Sequence, residues 1–237
     1  MLIEYRAYTL RLGAEALFWE AQKERGPDGL RPILDRLIGS FATRSGPNDE
    51  IASLYRYDDF GDWQSRLMGL YGQAGLQPYF RVVRPLIARQ QSSFLVPAPV
   101  AALTPHWGNG HDWLPAQGPL LRARAAGGIV EETRLNFSAG GVPACWEAFR
   151  QHALGEDPAV TDGLLGAFNT IAGSLNQVLL LRQFDGIAAL EAHRGALRRH
   201  AAWTSFLRTL APLTVSSDVR LLQPAPVPDM SPMFSGG

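Results

Sequence analysis

Glu4, Arg6 and Tyr8 stand two residues apart in a short segment, residues 3–9, where apolar and polar side chains alternate. Alternation of this kind predicts a β-strand. Residues i and i+2 of a strand share a face, about 6.6 Å apart. Such a trio could hold an anionic substrate on the guanidinium and use the carboxylate as a base, with the phenol as a further hydrogen-bonding group. Glu132, Arg134 and Asn136 repeat the pattern later in the chain. Ile3, Tyr5 and Ala7 form the apolar set that helices should cover. That assigns Arg6 to the opposite face, and Leu135 and Phe137 assign Arg134 likewise. The same array also reads as an ion-pair network joining two sheets, because buried charges must be paired. Both readings stay open at the level of sequence.

A second set of candidates for substrate binding is Ser53, Tyr55 and Tyr57, alternating on another predicted strand. Arg182 takes the place of Tyr55 in the second half of the chain and would give one half an anion-binding wall that the other lacks. His106 and His111, beside Asp112, are too few and too loosely spaced for a metal centre. His193 and His200 lie seven apart on a predicted helix, where a solvated face competes with an axial haem ligand. Cys145 is a lone cysteine without an adjacent activating His or Lys, which reads as core filler. No phosphate-binding glycine loop, nucleophile elbow or zinc motif is present.

The elements that must position these residues come in two copies. Pro97-Ala98-Pro99-Val100 recurs as Pro224-Ala225-Pro226-Val227, an offset of 127 residues. The same offset pairs Gly39 with Gly166, Leu54 with Leu181, Asp58 with Asp185 and Pro85 with Pro212. It also pairs Trp19-Glu20-Ala21 with Trp146-Glu147-Ala148. The Glu-x-Arg segment of the second copy needs a one-residue shift from that offset.

Each copy reads as β-α-β-β-α-β. In the first, strands are expected at residues 3–9, 40–45, 50–57 and 92–96. Helices are expected from 13 to beyond 34, broken near Gly26-Pro27-Asp28-Gly29, and from 60 to 89 with a break near Pro78. Asp58 or Asp59 would cap the latter. The second copy places strands at 130–137, 166–172, 177–184 and 218–223, and helices at 142–152 and 186–211. The resulting division is 1–100, a linker at 101–128, 129–227, and a loose tail at 228–237. Trp107 and Trp113 in the linker should be buried, since two indoles in water leave much apolar area exposed.

The 237 residues carry formal net charge zero, 46% hydrophobic and 19% charged residues. That balance fits a folded soluble protein and favours neither nucleic acid nor an anionic membrane as partner. Charges at Glu4 and Arg6 interrupt the N-terminal segment, so no signal peptide is expected. No apolar run reaches the length of a membrane helix. These features point to a reduced, cytoplasmic protein.

The opening Ile3-Glu4-Tyr5-Arg6-Ala7-Tyr8-Thr9-Leu10, with Gly13 following, resembles the first strand of the NIPSNAP family, as residues 49–57 and 94–99 resemble its third and closing strands. The resemblance implies an α+β fold of two tandem ferredoxin-like domains, with their sheets facing each other as a pseudo-dimeric α/β barrel. Related barrels include cofactor-free monooxygenases, isomerases and haem enzymes. The family's third strand often carries a His and a Trp two apart, where this chain has Ser53 and Tyr55, then Leu180 and Arg182. The expected function is that of a family protein of undefined activity, read as a cofactor-independent small-molecule enzyme of the monooxygenase or isomerase type, with Glu4, Arg6, Glu132 and Arg134 as catalytic candidates in a polar-lined barrel cavity that needs no organic cofactor or metal. The alternatives are a non-catalytic protein-binding scaffold and a haem-binding barrel; the partners expected are a small-molecule ligand in the barrel cavity and a second copy of the chain in a homodimer.

Overall fold

The structure, a computed structural model, describes residues 1–26, 30–107, 112–121 and 128–234. His111 and residues 27–29 of the expected helix break lie outside them. The first copy runs β1 (Leu2–Leu10), α1 (Glu15–Glu24), α2 (Arg31–Leu34), β2 (Leu37–Ser45), β3 (Glu50–Tyr57), α3 (Phe60–Tyr71), α4 (Gln77–Val83) and β4 (Ile87–Pro97). The second runs β5 (Ile129–Phe137), α5 (Gly141–Gln151), α6 (Pro158–Thr161), β6 (Leu164–Ala172), β7 (Gln177–Phe184), α7 (Ile187–Arg199), α8 (Ala201–Leu210) and β8 (Thr214–Pro224). The expected order of elements is present in both, giving a mixed α+β fold. The long helices expected at 13–34, 60–89 and 186–211 are each divided. Pro78 and His200 stand at the divisions of the second and third, at α4 and before α8.

The chain divides into two compact units, and the division differs from the expected one. The first comprises residues 1–94, 113–124 and 222–237; the second comprises 95–112 and 125–221. The end of each copy's last strand therefore belongs to the other unit. The two Pro-Ala-Pro-Val segments show how: Ala225 N–H donates to the Ser40 carbonyl within the first unit, and Ala98 N–H to the Ala167 carbonyl within the second, both at 2.8–2.9 Å. Residues 228–234 are not a loose tail, for Met230, Met233 and Phe234 are buried. The expected linker is shared between units, and its tryptophans are buried, Trp107 fully. The Trp113 indole N–H donates to the Gly118 carbonyl at 2.7 Å.

Within the first unit β3 lies antiparallel between β1 and β2, and β4 stands beside β1. Within the second, β7 lies antiparallel between β5 and β6, and β8 stands beside β5. The registers match at the repeat offset without any slip: Leu2 faces Tyr57 as Ile129 faces Phe184. The bulges recur at Leu37/Gly39 and Leu164/Gly166. The β2–β3 and β6–β7 turns place Gly46 at φ 121° and Gly173 at φ 112°, conformations that glycine adopts without Cβ strain. Asp59 caps α3 by accepting from Asp62 N–H at 2.9 Å, as its place before the helix suggested.

Each unit has its own core. In the first, Phe18, Trp19 and Ala21 of α1 pack with Leu70 of α3 and Phe80 and Val83 of α4. In the second, Cys145, Trp146 and Phe149 of α5 pack with Phe206 and Leu210 of α8. Spacings of three and four residues put these side chains on one helical stripe.

Glu15 in the first turn of α1 receives Arg44 Nη1 and Nη2 of β2, each at 2.8 Å, and the Trp19 indole N–H at 3.3 Å. Hydrogen bonding from Arg44 holds its carboxyl below the usual range against the opposing effect of burial. A depressed folded pKa means that the stabilisation is present above the unfolded carboxylate value, about 4.3, and is lost as pH falls through the folded value. Glu15→Gln should therefore lower Tm at pH 7 by about 1–3 °C, in keeping with a half-exposed ion pair. As pH falls through the folded value, the difference between the variant and the parent should shrink in parallel thermal scans.

Candidate functional site

The strand faces decide which candidates meet. Arg6 and Tyr8 of β1 and Ser53 and Tyr55 of β3 line a cavity of about 100 Å³ with Phe18 and Gln22 of α1, Leu70 of α3 and Tyr79 and Phe80 of α4. Arg6 thus lies on the helix-covered face of its sheet. This corrects the assignment made from alternation, which placed Ile3, Tyr5 and Ala7 toward the helices. The reason is physical: Leu2, Ile3, Glu4, Tyr5 and Arg6 are all buried. Where both faces of a strand are buried, polarity no longer marks which one the helices cover.

Arg6 is held in a fork by Glu4, with Nε to Oε1 at 3.1 Å and Nη2 to Oε2 at 2.6 Å. Its Nη1 donates to the Tyr8 hydroxyl at 3.4 Å, and its guanidinium carbon stands 4.7 Å from the centre of the Tyr55 ring. Both partners of the pair are buried. Burial works against the charge of Arg6, but its surroundings, the Tyr8 and Tyr55 phenols and the Glu4 carboxylate, outweigh it and hold the pKa above the ordinary value. Glu4 also accepts from the Ser92 hydroxyl of β4 at 2.7 Å. Glu4 is not a lining group of the cavity. It orients Arg6, and the expected role as base does not follow from its position.

Burial raises the Tyr55 and Tyr79 hydroxyls well above the usual phenol range, so both remain protonated donors at neutral pH. Tyr79 accepts from Gln22 Nε2 at 2.7 Å, which leaves its own proton free to donate. Neither Gln22 nor Tyr79 was singled out by sequence. Gln22 did carry a signal, since it falls four residues after Phe18 on the apolar stripe of α1, where a polar side chain must find a partner. Tyr57 packs against Tyr55 at 6.3 Å between ring centres and belongs to the core, not to the cavity wall. The Ser53 hydroxyl is paired with that of Ser40 at 2.7 Å.

The second unit does not repeat this site. The register equates Glu4 with Glu131, not Glu132, and Arg6 with Thr133. The one-residue shift expected for the Glu-x-Arg segment is therefore corrected. Glu131, Thr133 and Leu135 face the helices and line a second cavity of about 180 Å³, and Arg182 joins them. Glu132, Arg134 and Asn136 occupy the other face of β5. Glu132 there is fully buried and accepts from Arg134 Nε at 2.7 Å and Arg220 Nη2 at 2.5 Å. Asn136 bonds to Gln177 and Ser216. Of the candidate residues, Arg6, Tyr8, Ser53 and Tyr55 line the first cavity, Arg182 lines the second, and Glu132, Arg134 and Asn136 lie on the other face of β5.

Arg182 donates to the backbone carbonyls of Val160 and Asp162, and burial pushes its pKa down to about 10. Cys145 lines the same cavity with a thiol pushed up to about 12 by burial, so it is an apolar wall and not a nucleophile. His200 caps α8, its Nδ1 accepting from Trp203 N–H at 3.1 Å while Nε2 meets Asp157. No group of three or more His, Cys, Asp and Glu side chains suited to a metal ion occurs among the described residues. None of their helices is long and apolar enough to cross a membrane.

An antiparallel sheet layered with helices, repeated in tandem and carrying a cavity between sheet and helices in each copy, defines an α+β architecture. The chain belongs to the NIPSNAP family, whose model matches residues 3–102 and 130–228. Among solved structures it is similar to a NIPSNAP-like domain protein from Burkholderia xenovorans, at 34% identity over 40% of this chain and 84% of that one, with a TM-score of 0.39. A candidate monooxygenase from Lactobacillus acidophilus NCFM is 10% identical over 94% of this chain and 93% of its own, with a TM-score of 0.57. An anthrone oxidase-like protein is 11% identical over 94% and 90%, with a TM-score of 0.55. At 10–11% identity the likeness is one of fold alone. No curated protein matches the chain in sequence.

Proposed function

We propose that this NIPSNAP-family protein binds a compact small molecule in its first unit, with an acidic or enolisable oxygen group of the ligand held by Arg6, Tyr8 and Tyr55. The observation that carries the reading is the lining of that cavity. It gathers the guanidinium groups of Arg6 and Arg84 and several phenol hydroxyls, and no carboxylate is among its described lining residues. Cationic and phenolic donors converging without a carboxylate favour an oxygen-rich, electron-bearing group. Phe18, Leu70 and Phe80 would take its apolar body.

Such an arrangement suits cofactor-independent chemistry of the oxygenase or isomerase type, in which an enolate or phenolate must be stabilised. Glu4 is committed to Arg6, and the buried tyrosines stay protonated. The site therefore selects a ligand that is already ionised near neutral pH instead of supplying the base. The solved neighbours, a candidate monooxygenase and an anthrone oxidase-like protein, are compatible with this reading through their fold. The β-α-β-β-α-β order and the 4-1-3-2 strand order support describing each unit as ferredoxin-like.

The test is titration of the full chain with acetoacetate, a compact β-keto carboxylate, followed by calorimetry or ligand-observed NMR. Tyr55→Phe removes one donor and keeps the ring. It should weaken binding by about 3–10-fold, the worth of one hydrogen bond, with little change in Tm. Absence of binding by acetoacetate and by related small carboxylates at tens of millimolar would remove the proposal.

A further inference from the structure

The second unit's cavity has a different chemistry from the first. Leu135, Phe149, Leu180, Trp203 and Phe206 make most of its wall, and its volume is about 180 Å³. A dry apolar cavity of about 150 Å³ is enough to admit a single benzene-sized ring. Its polar lining groups are Glu131, Thr133, Arg182, His193, Arg194 and Ser217. Most of their capacity is committed. Arg194 forks onto Glu131, at 2.9 and 2.6 Å, and reaches Glu191 at 3.1 Å. Arg182 is spent on two backbone carbonyls. The buried His193 Nε2 is different, for it has no hydrogen-bond partner.

We propose that the second unit carries a separate ligand site, for a neutral ring-sized molecule bearing one hydroxyl group, of the phenol class, with that hydroxyl directed to His193. The cavity size sets one ring. The apolar wall rewards burying it, at about 25 cal/mol per Å². A buried polar atom without a partner is unfavourable, and a ligand hydroxyl would satisfy it. Neutrality follows from the Glu131 carboxylate in the wall and from the engagement of both arginines. An anionic ligand would meet a like charge without a free cation to offset it. This site is independent of the Arg6 cavity, which lacks a carboxylate and is lined by donors.

The test uses the full chain and ¹⁹F NMR with 4-fluorophenol, fluorobenzene and 4-fluorobenzoate as probes. The expected result is that 4-fluorophenol binds, about 3–10-fold more tightly than fluorobenzene, as one added hydrogen bond implies. The benzoate should bind at least tenfold more weakly than the phenol. His193→Leu should erase the advantage of phenol over fluorobenzene while fluorobenzene still binds. Leu180→Trp, which fills the cavity, should abolish binding of both; Leu197→Trp, at its edge, serves where the first variant does not fold. Tyr55→Phe, in the other unit, should leave 4-fluorophenol binding unchanged. The proposal is overturned if 4-fluorophenol fails to bind at millimolar concentration, if the benzoate binds best, or if binding survives in a folded cavity-filling variant. Loss of phenol binding in Tyr55→Phe would overturn it as well, by moving the probe to the first unit.

Discussion

Glu4→Leu should destabilise the protein by about 3–5 kcal/mol, the cost of leaving a buried charge without its partner. For a chain of this size that is a fall in Tm of roughly 6–20 °C. The estimate rests on geometry: Glu4 and Arg6 are both buried, and two nitrogens of Arg6 depend on the Glu4 carboxylate. The Ser92 hydroxyl would lose its acceptor at the same stroke. Arg6 cannot escape by deprotonation, because a guanidinium keeps its charge in proteins. The double change Glu4→Leu with Arg6→Leu should recover more than half of the loss, since paired removal takes away the stranded charge together with its partner. Thermal melts of the two single variants and the double variant complete the cycle. A single Glu4→Leu variant that melts within 1 °C of the parent would show that the fork does not exist in solution.

Trp107→Ala should cost about 3–5 kcal/mol, the usual loss for truncating a large buried aromatic side chain. The indole is fully buried in the second unit, 5.6 Å from the Phe168 ring and over the backbone of Gly166. A Cβ on Gly166 would meet Trp107 Cζ3 at 3.0 Å and Phe168 Cζ at 2.8 Å. The indole is thus seated where the repeat keeps a glycine. Denaturant melts of Trp107→Ala measure the loss directly. A change below about 1 kcal/mol would mean that this segment only connects the copies and takes no part in the fold.

The sequence by itself determined the repeat and the elements within it. An offset of 127 residues paired Gly39 with Gly166 and Gly46 with Gly173, and both copies carry the same bulge and the same turn glycine. The cap of α3 was readable as Asp58 or Asp59, of which Asp59 serves, and the two linker tryptophans were readable as buried. These are local signals: a turn needs a left-handed backbone, a helix end needs an acceptor, and an indole needs cover. Each acts over a few residues and survives without knowledge of the partner.

What tertiary structure alone decided was the composition of the sites. Alternation along β1 separated Glu4, Arg6 and Tyr8 from Ile3, Tyr5 and Ala7, but it did not say which set met the helices. In a sheet buried on both faces, apolar and ion-paired polar side chains are equally admissible on either side. The Glu-x-Arg similarity between the copies joined Glu4 to Glu132 in sequence. Strand pairing joined it to Glu131, because register is set by backbone hydrogen bonds along the whole strand and not by two side chains. Gln22 and Tyr79, on separate helices, became partners only when α1 and α4 packed together. Arg182 looked like an anion-binding group and is occupied by two carbonyls of a segment about twenty residues away. Side-chain identity set what each group could do; long-range packing set which groups remained free to do it.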